Sequence, residues 1–202
     1  HVLSSTSSKE SLVTNGMSNF GRNAPWSNSA LIVSVDASKV IAGDHVLRGF
    51  DFQHKIENDA YQLSLRDASG KELPAQRVKS FLAGKKDETL PHSSCPSKIF
   101  AADLNELLPK FICDQLKEGI KYFDKNIQGF ICDDAILIAP ETRTSCPVTI
   151  EREKETLESL SHQNLYPCGE GAGYAGGITS AAVDGVRVAD SISMVIFTHS
   201  KN

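Results

Sequence analysis

The sequence predicts an α/β protein in which a Rossmann-like strand–loop–helix closes the chain, after part of a mixed α/β domain with a long helical segment. Three observations carry that prediction. Apolar, β-branched runs at 29–35 and 135–139 have the length and composition of strands. Between about 50 and 130, apolar residues recur every three or four positions, the period of a helix with one buried face. Near the C-terminus, LYPCGEGAGYAGGITSAAVDG at 165–185 passes from a strand-like stretch through a glycine loop into a helix of small residues.

Taken in order, residues 1–30 are rich in Ser, Asn and Gly, and Asn15-Gly16 is a turn signal. Ser29–Val35 reads as a strand ending at Asp36. Phe52, Ile56, Ala60 and Leu63 place an apolar stripe on a helix that begins near Gly49 and is broken by Gly70. A short helix is expected from Ala75 to Leu82, ahead of Gly84 and an exposed Lys85-Lys86-Asp87-Glu88 loop. Asp103 suits the N-cap of a helix over 104–108. Pro109 can open another, with Phe111, Leu116, Ile120 and Phe123 on its buried side. Ala135–Ala139 reads as a buried strand, Ser145–Ile150 as extended chain and Leu165–Cys168 as a third strand, weakened by Pro167, which has no amide donor. A final helix runs from about Gly177 to Met194. Its expected inner face is Ile178, Ala182, Val186 and Ala189, with Ala181 and Gly185 allowing close approach to a sheet.

Composition narrows the function. With 202 residues, 40% of them hydrophobic and 23% charged, the chain can build one sizeable core or two small ones, as a soluble globular protein does. A net charge of −4 supplies no overall positive field for phosphate backbones or anionic lipids, so neither nucleic acid nor a membrane is an expected partner. No apolar run approaches the roughly 20 residues of a membrane span, and no secretory signal is legible. Because the first residue is His, sequence upstream of it is expected. The five cysteines are widely spaced and odd in number, without C-x-x-C, which fits neither a disulfide framework nor zinc. They are expected to act mostly as small buried hydrophobes in a reducing compartment, the cytoplasm or an organelle stroma or matrix such as a plastid, not as a secreted protein. The scattered histidines suggest no metal site, and no G-x-S-x-G supports a hydrolase.

Gly171–Gly176 spells G-x-G-x-x-G, but the helix after it nearly exhausts the sequence, leaving no second strand whose acid could hold a ribose. A Walker A loop fails for want of a Lys-Ser/Thr pair. What survives is an acid, Glu170, beside a glycine loop and a helix N-terminus, whose free amides and partial positive charge favour an electron-rich group. That combination suits a ligand joining a polyol to an anionic edge, and a flavin has both. Glycines that serve only tight packing are the alternative.

Leu12-Val-Thr-Asn-Gly-Met-Ser18, Glu141-Thr-Arg-Thr-Ser145 with Pro147-Val148, and Leu165–Gly185 with its GEGAGYAGG string together resemble the C-terminal half of the FAD-dependent dehydrogenases, also described as NAD(FAD)-utilising dehydrogenases or FAD/NAD(P)-binding oxidoreductases. The resemblance implies that an N-terminal Rossmann half, missing from this chain, binds the ADP part of FAD. It implies residues 1–135 as a substrate-domain portion and 136–202 as return strands and a flavin-binding segment. The implied cofactor contacts are Gly169, Glu170, Gly171, Gly173, Tyr174, Gly176, Gly177 and Ile178. Glu170 would face the ribityl or pyrophosphate part, and the backbone at 176–178 the isoalloxazine. The implied reaction is hydride transfer through FAD to or from a small-molecule substrate, with NAD(P) as a candidate second nucleotide. No redox role is implied for Cys146 or Cys168.

Arg143, between two threonines, is the candidate catalytic residue. It could offer its guanidinium to a substrate carboxylate or to the flavin pyrimidine edge, or pair with Glu141 or Glu151. The Asn15–Ser18 turn and Arg22 are candidates for the substrate side. Two rival readings are a non-catalytic scaffold with a degenerate flavoprotein fold and a module binding a nicotinamide nucleotide or another small anion.

Overall fold

A computed structural model describes residues 2–6, 8–36, 38 and 43–199. The elements in chain order are β1 (Val2–Ser4), β2 (Thr14–Gly16), α1 (Arg48–Asp67), β3 (Leu73–Arg77), α2 (Val78–Ala83), β4 (Ile99–Ala101), α3 (Leu104–Leu107), α4 (Lys110–Asn126), β5 (Ile136–Ile138) and α5 (Ile178–His199). They form a mixed α/β chain divided into two compact units, 1–36 with 51–142 and 37–50 with 143–202.

The first unit is built on a three-stranded sheet of order β4-β3-β5, in which β3 runs parallel to β4 and antiparallel to β5. The registers are Leu73 opposite Ile99, and Ala75 opposite both Ala101 and Ile138. Being central, β3 is buried on both faces. Leu73 packs with Ala60 of α1, Phe81 of α2, Leu104 of α3 and Ile120 of α4 in one core. The helix expected from Ala75 therefore begins only at Val78, because residues 73–77 are claimed by two neighbouring strands. Tertiary pairing overrides a weak local preference.

Polar groups inside this unit are satisfied by specific partners. Gln76, fully buried, accepts from the Leu104 amide at 2.9 Å and donates to the Lys85 carbonyl at 2.9 Å. Asp87 accepts from the Arg77 amide at 2.7 Å and from the Ser80 hydroxyl at 2.6 Å, tying down the start of α2. The expected exposed Lys-Lys-Asp-Glu loop is thus corrected at Asp87, which is half-buried. Asp103 caps α3 through the Asn105 amide at 2.9 Å, and Pro109 precedes α4, as the sequence indicates.

Helix α1 buries Ile56 and Ala60 but also Glu57, only 1% exposed. The Glu57 carboxylate accepts from the Thr142 hydroxyl, and its carbonyl accepts from the Leu12 amide at 3.0 Å. Thr14 donates through both amide and hydroxyl to the Pro140 carbonyl, at 2.8 and 3.0 Å. Leu12 and Thr142, from two segments of the sequence resemblance, thus meet on Glu57, and Thr14 bonds Pro140 just ahead of the second segment.

Other expectations in this unit are corrected. Asn15-Gly16 lies in β2, which pairs antiparallel with β1, not in a turn. Residues 29–36 form no β-ladder among the described residues; Leu31 leans on the core while Ile32 stays 63% exposed. Phe123 of α4 is 39% exposed against Phe130, and Cys113 takes the buried position.

The second unit is a helix dressed with loops. Its described residues hold only an isolated bridge, Arg152 with Ser159, so neither 145–150 nor 165–168 is a strand. Side chains meet the backbone there instead: Arg152 binds the Pro167 carbonyl and Asp184 the Gly169 amide. On α5 the expected inner face points outward, with Ile178 93% and Val186 62% exposed. Ala181, Asp184, Gly185 and Val188 face inward, one residue and hence about 100° around the helix. An added Cβ on Gly185 would meet nothing within 4 Å, so close sheet packing does not explain that glycine.

Among the described residues, no helix is long and apolar enough to cross a membrane.

Candidate functional site

The glycine loop, 169–177, lies against the 146–150 segment. The Ile150 amide donates to the Ala172 carbonyl at 3.1 Å, the Tyr174 hydroxyl to the Ile150 carbonyl at 2.9 Å, and the Cys146 thiol to the Gly171 carbonyl at 3.3 Å. Two turns shape it internally, Gly173 amide to Glu170 carbonyl at 2.9 Å and Tyr174 amide to Gly169 carbonyl at 3.0 Å.

Its glycines fall into two groups. Gly169 and Gly173 have φ of +71° and +83°, and a Cβ at Gly173 would lie 2.5 Å from the Val148 carbonyl oxygen. The fold itself requires glycine at these two positions. Gly171 and Gly176 have no such need: a Cβ at either would meet nothing within 4 Å, and one at Gly177 only the Ser180 hydroxyl at 3.9 Å. Packing alone therefore explains part of the string.

Beside Gly177, the last of this group, opens a cleft of about 720 Å³. It is lined by Tyr174, by Gly177–Ser180 at the first turn of α5, and by Val183, Asp184 and Arg187 further along. The first-turn amides of α5 lack intrahelical acceptors, and the helix dipole adds positive character. Thr179 and Ser180 contribute hydroxyls, Ile178 and Val183 apolar surface, and Arg187 an exposed guanidinium. Glu170 is half-buried, and its carboxylate has no hydrogen-bond or ion-pair partner among the described residues.

The loop is anchored by a pair the sequence did not reveal. Arg152 donates to both carboxylate oxygens of Asp184, at 3.0 and 2.7 Å, with the two side chains 6% and 7% exposed. Its guanidinium lies 3.6 Å from the Tyr174 ring centroid. The Arg152 bonds, assisted by the Gly169 amide, hold the Asp184 carboxyl below its ordinary pKa, and Asp184 in turn raises that of Arg152. The signal that could have found Asp184 is its place among small residues on a helix, where an acid that is buried needs a cation.

Of the residues expected at the cofactor, Tyr174, Gly177 and Ile178 line the cleft, while Gly169, Glu170, Gly171, Gly173 and Gly176 belong to the loop leading into it. Arg143 is exposed and is not a cleft residue. Arg187 is the cation that the cleft contains. The thiols divide as well. Cys95 and Cys113 are buried, and burial pushes both pKa values up, which makes them unreactive. Cys132 and Cys168 are exposed, correcting the expectation of mostly buried cysteines.

Comparison with known proteins gives two findings. A model of the family described as FAD-dependent protein, C-terminal domain-like, matches residues 1–144. The match ends two residues past the boundary between the units. An uncharacterized protein of Clostridium beijerinckii is 42% identical over 195 residues, which cover 95% of this chain and 35% of that relative. The chain spans about a third of the length of the curated relative it matches.

Proposed function

Because the chain belongs to the FAD-dependent protein, C-terminal domain-like family, we propose that it is the C-terminal part of an FAD-dependent oxidoreductase, whose N-terminal Rossmann half holds the ADP end of the cofactor. The observation that carries this reading is the group of glycines at 171, 176 and 177, whose missing side chains nothing among the described residues requires, with Gly177 lining the open cleft at the start of α5. Glycine is needed there if something outside the chain comes close to the backbone. The residues fit a flavin: amides for an electron-rich edge, a carboxylate at Glu170 with no partner among the described residues for hydroxyls, and Tyr174 and Ile178 as apolar walls.

FAD, when bound, supplies hydride transfer, with NAD(P) as the candidate partner nucleotide. The protein's contribution is to place donors. With FAD bound, the α5 N-terminus would stabilise charge on the flavin edge, Glu170 would accept from the ribityl hydroxyls, and Arg143, which is outside the cleft lining, would offer its guanidinium to a substrate carboxylate or the pyrimidine edge. The outward apolar face of α5, formed by Ile178, Ala182, Val186 and Ala189, is suited to cover by the N-terminal half.

Titration of FAD into the protein joined to its N-terminal half, followed by visible absorbance, tests the reading. Gly176→Val should weaken FAD binding at least roughly tenfold, the scale of a steric block in a packed site, with unchanged thermal unfolding. Equal affinity in the variant would remove the glycine argument. A full-length protein that takes up no flavin at all would favour the scaffold reading.

A further inference from the structure

Three bonds hold the middle of the glycine loop on 146–150, but none of them reaches α5. Its two internal turns close 169–174 but do not fix that segment against α5, and glycine-rich backbone is costly to order. One side chain supplies the missing constraint from several directions. Arg152 donates at 2.6 Å to the Pro167 carbonyl on the entry side of the loop, and binds both oxygens of Asp184 on the second turn of α5. Asp184 passes the constraint on by accepting from the Gly169 amide at 2.9 Å. The guanidinium face covers the ring of Tyr174, whose hydroxyl is fixed on Ile150. The entry, the Tyr174 ring within the loop and the helix therefore converge on one planar cation, and the first glycine joins them through Asp184.

We infer that Arg152 is the positioning residue of the glycine loop, setting the conformation of Gly169–Gly177 at the N-terminus of α5 through Asp184 and Tyr174. Lysine cannot substitute, since a point charge does not form the two-oxygen fork, the carbonyl bond and the ring stack together. The clamp itself rests on these contacts alone. Its consequence for ligand binding rests on the flavin reading above.

Amide hydrogen exchange on the 202-residue chain tests it. Arg152→Lys should speed exchange of Gly169, Gly173 and Tyr174 by on the order of tenfold or more, while amides of β3 and α4 keep their protection. Val188→Ala, a buried change on the same face of α5, serves as the control at matched loss of thermal stability. Unchanged loop exchange in Arg152→Lys would overturn the inference. Equal loosening of the loop in Val188→Ala would do so too, by showing a general stability effect. Should Arg152→Lys fail to fold, Tyr174→Leu removes the stacking platform and must show the same loop-specific loss. In parallel, FAD affinity of the protein joined to its N-terminal half should fall in Arg152→Lys and not in Val188→Ala. If the wild type takes up no FAD, the flavin reading fails while loop exchange still decides the clamp.

Discussion

At the scale of single residues, the second unit depends on a charged pair where hydrophobic contacts would be expected. Asp184 is almost fully buried and its pKa is lowered by Arg152. A carboxylate whose folded pKa is depressed contributes its full stability above its unfolded pKa, about 3.9, and loses it as the pH falls toward the folded value. Unfolding of α5 followed by amide signals should therefore shift to lower temperature as pH drops below about 4. Asp184→Asn should lack that dependence, at a cost of about 3 kcal/mol for leaving Arg152 uncompensated. A wild-type profile flat through this range would remove Asp184 from the stability of the unit. The glycines give a second residue-level contrast. Gly173→Ala must place a Cβ against the Val148 carbonyl at positive φ and should cost more than about 1 kcal/mol. Gly171→Ala, facing open space, should stay within about 0.5 kcal/mol by denaturant unfolding.

At the scale of elements, α5 shows how one helix can carry two different faces. Its inward face, at 181, 184, 185 and 188, is held by the buried ion pair and by Val188. Its more apolar face, at 178, 182, 186 and 189, is exposed. A helical wheel drawn from hydrophobicity alone selects the second face, since a paired Asp counts as polar wherever it lies. Val186→Lys should leave thermal unfolding of this chain unchanged within about 0.5 kcal/mol, as 62% exposed positions do. If an N-terminal half covers this face, as proposed, the change should also abolish co-purification with that half supplied as a separate chain. Retained co-purification would show that this half is bound elsewhere. The elements of the first unit were more legible. Asp103 and Pro109 act within a few residues, and the 52-56-60 spacing marks a buried face whatever packs on it. Strand β3 was hidden, because only its two partners, 99–101 and 136–138, make 73–77 extended.

At the scale of the molecule, the family match and the two-unit division stop within two residues of each other, at 144 and 142. The glycine loop and α5 thus lie beyond the matched domain, in the part that the Clostridium beijerinckii relative shares over most of this chain's length. The sequence by itself determined the mixed α/β class, the apolar stripe of the helix at 48–67, the starts of the helices at 104–107 and 110–126, the strand at 136–138, and the segment in which the glycines gather. The caps are set by neighbours close along the chain, and the strand at 136–138 was legible from its β-branched run although its ladder partner, 75–77, is distant. The tertiary structure alone decided which glycines are needed for the fold, which face of the last helix turns inward, and that Glu57 and Asp184 are buried acids. Those outcomes depend on partners at 142, 148 and 152, many positions away, and on the rule that a charge enters the interior only when a partner is there to meet it.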